Sequence, residues 1–79
     1  MKIYTVLYHD PDEGSYVVGA FTDMTRAEEQ SKIFMSAFDC VEHDRDKGVD
    51  ELRIYYKGED GEPFGIIDIS TLTLNEISY

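Results

Sequence analysis

The chain has one cysteine, no tryptophan, two prolines and only seven basic residues among 79. Each scarcity excludes something. A lone Cys40 forms no internal disulfide and cannot build a cysteine zinc site by itself. Seven bases against seventeen acids leave a formal charge of −10. That charge repels nucleic acid and anionic membranes alike, so neither is expected as a direct partner. No apolar run approaches the roughly 20 residues of a spanning helix. The opening "MKIYTVLYHDPDEG" has one lysine and a short apolar run broken by acids, which does not read as a secretory signal. A reducing, cytoplasmic setting is expected. Catalytic patterns are scarce too. There is no glycine-rich phosphate loop, no paired metal motif and no Ser/His/Asp spacing. Accordingly no enzyme activity, cofactor or metal is expected.

What the chain does have is apolar and aromatic substance. It is 42% hydrophobic, with six tyrosines and four phenylalanines. Disordered chains are poor in such residues. The length allows one domain, residues 1–79, whose small core gives a thin margin of stability.

"KIYTVLYH" and "SYVVGAF" are β-branched and aromatic runs, and "DPDEG" between them is built of turn residues. Together they predict a β-hairpin, with Gly19 marking a bulge or a close approach of a helix. Thr25-Arg26-Ala27-Glu28 fits a capping box. Ala27, Phe34, Phe38 and Val41 then recur at helical spacing, with Ser31 and Ala37 at the edges, and Gly48 is a natural stop. The pattern predicts a helix from about residue 26 to about 44–47. "ELRIYYK" and "FGIIDIS", joined by "GEDGEP", predict a second hairpin. The tail "TLTLNEISY" extends the last strand, adds a short fifth one, or folds over the sheet. The expected fold class is α+β, ββαββ, with an antiparallel sheet and one helix on one face.

The residues "IYTVLYHD", "VVGAFTD" and "TRAEE" resemble a group of small, mostly uncharacterised domains of bacteria and phages. In these a strand, an acidic turn, a second strand and a helix start follow in the same order. The resemblance covers the first third of the chain and brings no catalytic residues with it. Size, acidity and lack of a catalytic motif are also similar to small phage proteins that inhibit host enzymes.

The candidate sites are therefore surfaces. On a helical wheel Glu28, Asp39, Glu42 and Asp46 share one stripe, nearly unmixed with bases past Lys32. Like charges three and four apart cost a helix a few tenths of a kcal/mol each, so the row reads either as the plain solvated face of an amphipathic helix or as carboxylates presented to a basic groove. The turns add Asp10, Asp12 and Glu13, and Glu59, Asp60 and Glu62. One reading follows: a non-enzymatic inhibitor, of the kind phages encode, that offers carboxylates where phosphates normally sit, a DNA mimic for a basic, nucleic-acid-binding protein surface. The alternative is a docking or dimerising module in which the acidity only aids solubility. One helix covers one face of a sheet, and Tyr4, Val6, Tyr8, Tyr55 and Ile67 would carry the face left open, as a homodimer contact. His9 with the acids beside it does not fit a calcium loop, since Ser15 stands where glycine is needed. Nothing in the sequence brings His43 to His9. Asp68, among apolar neighbours, is expected either paired with Arg53 or Lys57 or, more naturally, at a sheet edge.

Overall fold

The computed structural model describes residues 2–73. Six elements follow in order: β1 (Lys2–Asp10), β2 (Gly14–Phe21), α1 (Met24–Met35), β3 (Cys40–Gly48), β4 (Glu51–Gly58) and β5 (Pro63–Thr73). The strands form one antiparallel sheet in the order β2-β1-β5-β4-β3. The expected ββαββ arrangement is thus corrected to ββαβββ, five strands and a short helix. The proposed fifth strand of the tail is not the source of the difference. Thr71–Thr73 continue β5, and a tail folded over the sheet would involve residues outside those described.

The extra strand is β3, and it comes from the second half of the expected helix. The helix starts two residues early, on Asp23, whose carboxylate accepts the Thr25 N–H at 2.9 Å. It stops at Met35, where the Ser36 hydroxyl donates to the Ile33 carbonyl at 2.6 Å and the next amides reach back only three residues. From Cys40 the chain pairs with β4 along its whole length. Two physical reasons decide for strand. A helix through residue 46 would stack Asp39, Glu42 and Asp46 in like-charged rows. Without β3, β4 would also expose its ladder edge, and an edge strand of charged residues such as Glu42, Asp44, Arg45 and Asp46 discourages further pairing. Gly48 ends this strand and not a helix. The tight turn Val49–Asp50 follows, with Asp50 in the left-handed region at φ 57°.

Alternation places Val6 and Tyr8 of β1, Leu52, Ile54 and Tyr56 of β4, and Ile67 and Ile69 of β5 on the helix-covered face, all of them buried. Ala27, Ser31 and Met35 close the layer from α1. Phe34 and Phe38 join Tyr8, Tyr16 and Phe64 in a run of neighbouring rings 5.4–6.0 Å apart. Gly65 makes this packing possible. A Cβ there would meet the Tyr8 ring at 2.5–2.8 Å. Gly19 lies beside the β1/β2 bulge, and its close neighbour is the Phe21 ring, not the helix.

The open face carries Ile3, Thr5, Leu7 and His9 of β1, Arg53, Tyr55 and Lys57 of β4, and Ile66, Asp68, Ser70 and Leu72 of β5. Of the five residues expected there, Val6, Tyr8 and Ile67 are on the other face, at most 1% exposed. Tyr4 packs against the core with them, and only Tyr55 faces outward. The error has a simple cause. Both alternation sets are apolar, so the period of two cannot say which set the helix covers.

Candidate functional site: the acidic end and the open face

Strand direction sorts the connections to two ends of the sheet. Turns 11–13 and 59–62 and connection 36–39 all lie at one end, because β1 and β4 finish there and β3 begins there. This end receives Asp10, Asp12, Glu13, Asp39, Glu59, Asp60 and Glu62. Within the turns the acids divide the work. Asp10 accepts the amides of Asp12 and Glu13 at 2.8 and 3.0 Å and the Tyr8 hydroxyl at 3.4 Å. The two amides, then the Tyr8 hydroxyl, outweigh its slight burial and hold its pKa below the usual carboxylate value. Asp60 accepts the Glu62 amide at 3.1 Å. Asp12, Glu13, Asp39, Glu59 and Glu62 accept no side-chain hydrogen bond and form no ion pair among the described residues.

The expected helical stripe is not a stripe. Glu28 is on α1, Asp39 in the connection, and Glu42 and Asp46 on β3. Asp46 faces the open side opposite Arg53, while Glu42 faces the helix. A bulge at His43 explains the placement. It inserts one residue, so Glu42 and Arg45, three apart, sit opposite Tyr56 and Ile54 on one face. Arg45 then grips Glu42 with two bonds of 2.8 and 2.9 Å and reaches Glu28 at 3.4 Å. Lys32 completes the cluster, 3.2 Å from Glu28. Burial alone would raise the Glu28 pKa, but the Lys32 hydrogen bond and the Arg45 charge outweigh it and the net shift is downward. The Glu42 pKa is lowered chiefly by its Arg45 bonds. These two acids clasp α1 to β3 and are not free for a partner.

A polar row crosses the open face. Asp68 lies on β5, the central strand, so it is not an edge residue. Arg53, directly opposite on β4, donates to its carboxylate at 3.1 Å. His9 Nε2 lies 3.5 Å from the same oxygen, and its Nδ1 is 2.5 Å from the Ser15 hydroxyl. Sequence spacing gave no sign of this Ser15–His9–Asp68 order, because three different strands supply it. Nucleophilic catalysis uses the same residue types around a pocket that seats an acyl group against amide donors. Ser15 is exposed on the edge strand β2, outside the cleft described next, and Arg53 shares the aspartate.

At the acidic end of this face lies a cleft of about 330 Å3, lined by His9, Asp10, Pro11, His43, Tyr55, Tyr56, Pro63, Gly65 and Ile66. Two bulges shape it. One turns His43 of β3 toward Tyr55, with ring centroids 6.3 Å apart; the other, between Tyr56 and Lys57, offsets Pro63 and Phe64 on β5. The two histidines that seemed unrelated in sequence thus line one cleft. Among the described residues no group of three or more metal-ligating side chains gathers, and no helix is long and apolar enough to cross a membrane. Compared with known proteins, no family model, no curated sequence and no solved structure matches the chain.

Proposed function

We propose that this is a non-enzymatic interaction protein that docks its acidic end on a positively charged, nucleic-acid-binding surface of a partner protein. Carboxylates there take the places of phosphates, so the partner cannot hold nucleic acid at the same time. The observation that supports this is the collection of Asp12, Glu13, Asp39, Glu59 and Glu62 at one end of the sheet, without ion-pair partners among the described residues. Arginine forks on the partner would supply direction, and the negative field would speed encounter. A cytoplasmic setting, in which Cys40 stays reduced, suits such a role. Glu28 on α1 and Glu42 on β3 drop out of the interface, since both are engaged with Arg45. Self-association through the five residues expected for it is not retained, because Val6, Tyr8 and Ile67 lie beneath the helix.

The test immobilises the protein and elutes bound host proteins with a rising salt gradient. A captured protein should release at moderate salt, bind duplex DNA by itself, and lose that DNA when this protein is added. The variant D12N/E13Q/E59Q/E62Q should no longer displace the DNA. Displacement that the variant retains, or capture that ignores salt, would overturn the reading.

A further inference from the structure

The open-face cleft is unusual beside the rest of this surface. Rings and prolines make up much of its lining: His43 from β3, Tyr55 from β4, Pro63 and Ile66 from β5, and His9 from β1 with Pro11 just after it. Asp10 is the carboxylate in its lining, and Pro11 and Pro63 carry that lining to the borders of turns 11–13 and 59–62, whose acids lie at the same end of the sheet. Arg53, the cation beside it, is already engaged by Asp68. Asp68, then the Tyr55 hydroxyl, holds that guanidinium more firmly protonated. Lys57, opposite Pro63 on the same face, forms no ion pair among the described residues and opposes a cation.

An aromatic lining that borders acidic turns suits one chemistry best. A guanidinium is planar, weakly hydrated and stacks on rings, while its edge donates in a fork to carboxylates. An ammonium gains the charge attraction but not the stacking plane. A purely apolar group would leave the turn acids without a counter-charge. We infer that the cleft is an arginine pocket: it receives an arginine side chain of the basic partner, stacked against Tyr55 and His43, with its free edge toward the turn carboxylates. This rests on the proposed docking of the acidic end and deepens it, by naming the residue type that the partner must present.

The probes are fluorescein-labelled hexa-arginine and hexa-lysine, read by fluorescence anisotropy at fixed low salt. Hexa-arginine should bind the wild type about three- to tenfold more tightly than hexa-lysine, the difference a stacked cation contributes. Tyr55→Val, which keeps a good strand residue, and His43→Ala, at an exposed bulge, should each shrink that ratio toward one while leaving hexa-lysine unchanged. Lys57→Ala should tighten both peptides. D12N/E13Q/E59Q/E62Q should weaken both. Should Tyr55→Val lose its fold by circular dichroism, chemical shifts of the His9, His43 and Tyr55 rings during a wild-type titration give the answer. Hexa-arginine should move them and hexa-lysine should not. Equal affinities, with a ratio unmoved by Tyr55→Val and His43→Ala, would overturn the pocket and leave the docking proposal standing. No binding of either peptide would overturn both. Concentration-dependent dimerisation lost in Tyr55→Val would assign the cleft to a second copy and overturn the arginine.

Discussion

Two groups of carboxylates in this protein have opposite fates. Glu28 and Glu42, on α1 and β3, share Arg45 and stitch the helix to the last-placed strand. Asp12, Glu13, Glu59 and Glu62, in two hairpin turns, have no such partner among the described residues. In sequence both groups look alike, as acids in a polar stretch. The difference teaches that an excess of charge does not locate a binding surface. What locates it is which acids the fold leaves without a base.

The apolar layer beneath the clasp sets the scale against which either group is measured. Ile67→Ala, at a fully buried position of the central strand, should cost about 2–5 kcal/mol, read by urea denaturation. In a domain of this size that would leave much of the population unfolded. A cost under about 1 kcal/mol would mean that the helix does not cover this face.

Next comes the arginine that separates the two groups. Arg45→Ala leaves Glu28 and Glu42 without their shared cation. The side chains are 28–36% exposed, so solvent screening holds the expected loss to about 1 kcal/mol. That loss should shrink in high salt. The same pair predicts an acid limb. Folding depresses both glutamate pKa values. Their contribution is therefore complete above the ordinary glutamate pKa of about 4.3 and disappears as pH falls through the lower folded-state values. The stability gap between wild type and Arg45→Ala should close below that point. A gap that persists in strong acid would show that Arg45 acts by packing, not charge.

The turn group should behave otherwise. D12N/E13Q/E59Q/E62Q should shift stability by no more than about 0.5 kcal/mol, because these groups lie away from any buried network. A large loss would merge the two groups and remove the case for an interface.

A separate effect lies at the alkaline end. Burial, then the Asp10 charge, pushes Tyr8 up to about 12, and burial does the same for Tyr56. Their contribution is full below the ordinary tyrosine value of about 10 and is lost as pH rises through about 12. Ultraviolet titration should show these two tyrosines ionising last, together with unfolding. Uniform titration of all six tyrosines near the ordinary value would contradict their burial.

Much of the chain was legible. The runs at β1, β2, β4 and β5 have strand chemistry and turn residues at their borders, and those signals are local. The helix start was legible to within two residues. Its end was not, because "SAFDCVEHDRDKG" has no proline and only a distant glycine to break it. One warning was present: the like-charged rows that a long helix would carry. The candidate site was legible only as composition. "HDPDEG" and "GEDGEP" announced acidic turns, but nothing said that both lie at one end, or that His43 of β3 would line the same cleft as His9 of β1.

By itself, the sequence determined the acidity, the two hairpins and the presence of a helix, since charge, turn chemistry and short-range periodicity act over a few residues. Tertiary structure alone decided that residues 40–48 become an edge strand, that Val6, Tyr8 and Ile67 lie under the helix, and that two acids are bound by Arg45 while the turn acids stay open. Those outcomes depend on ladder edges, bulges and ion pairs between segments far apart in the chain. No local pattern encodes such partners.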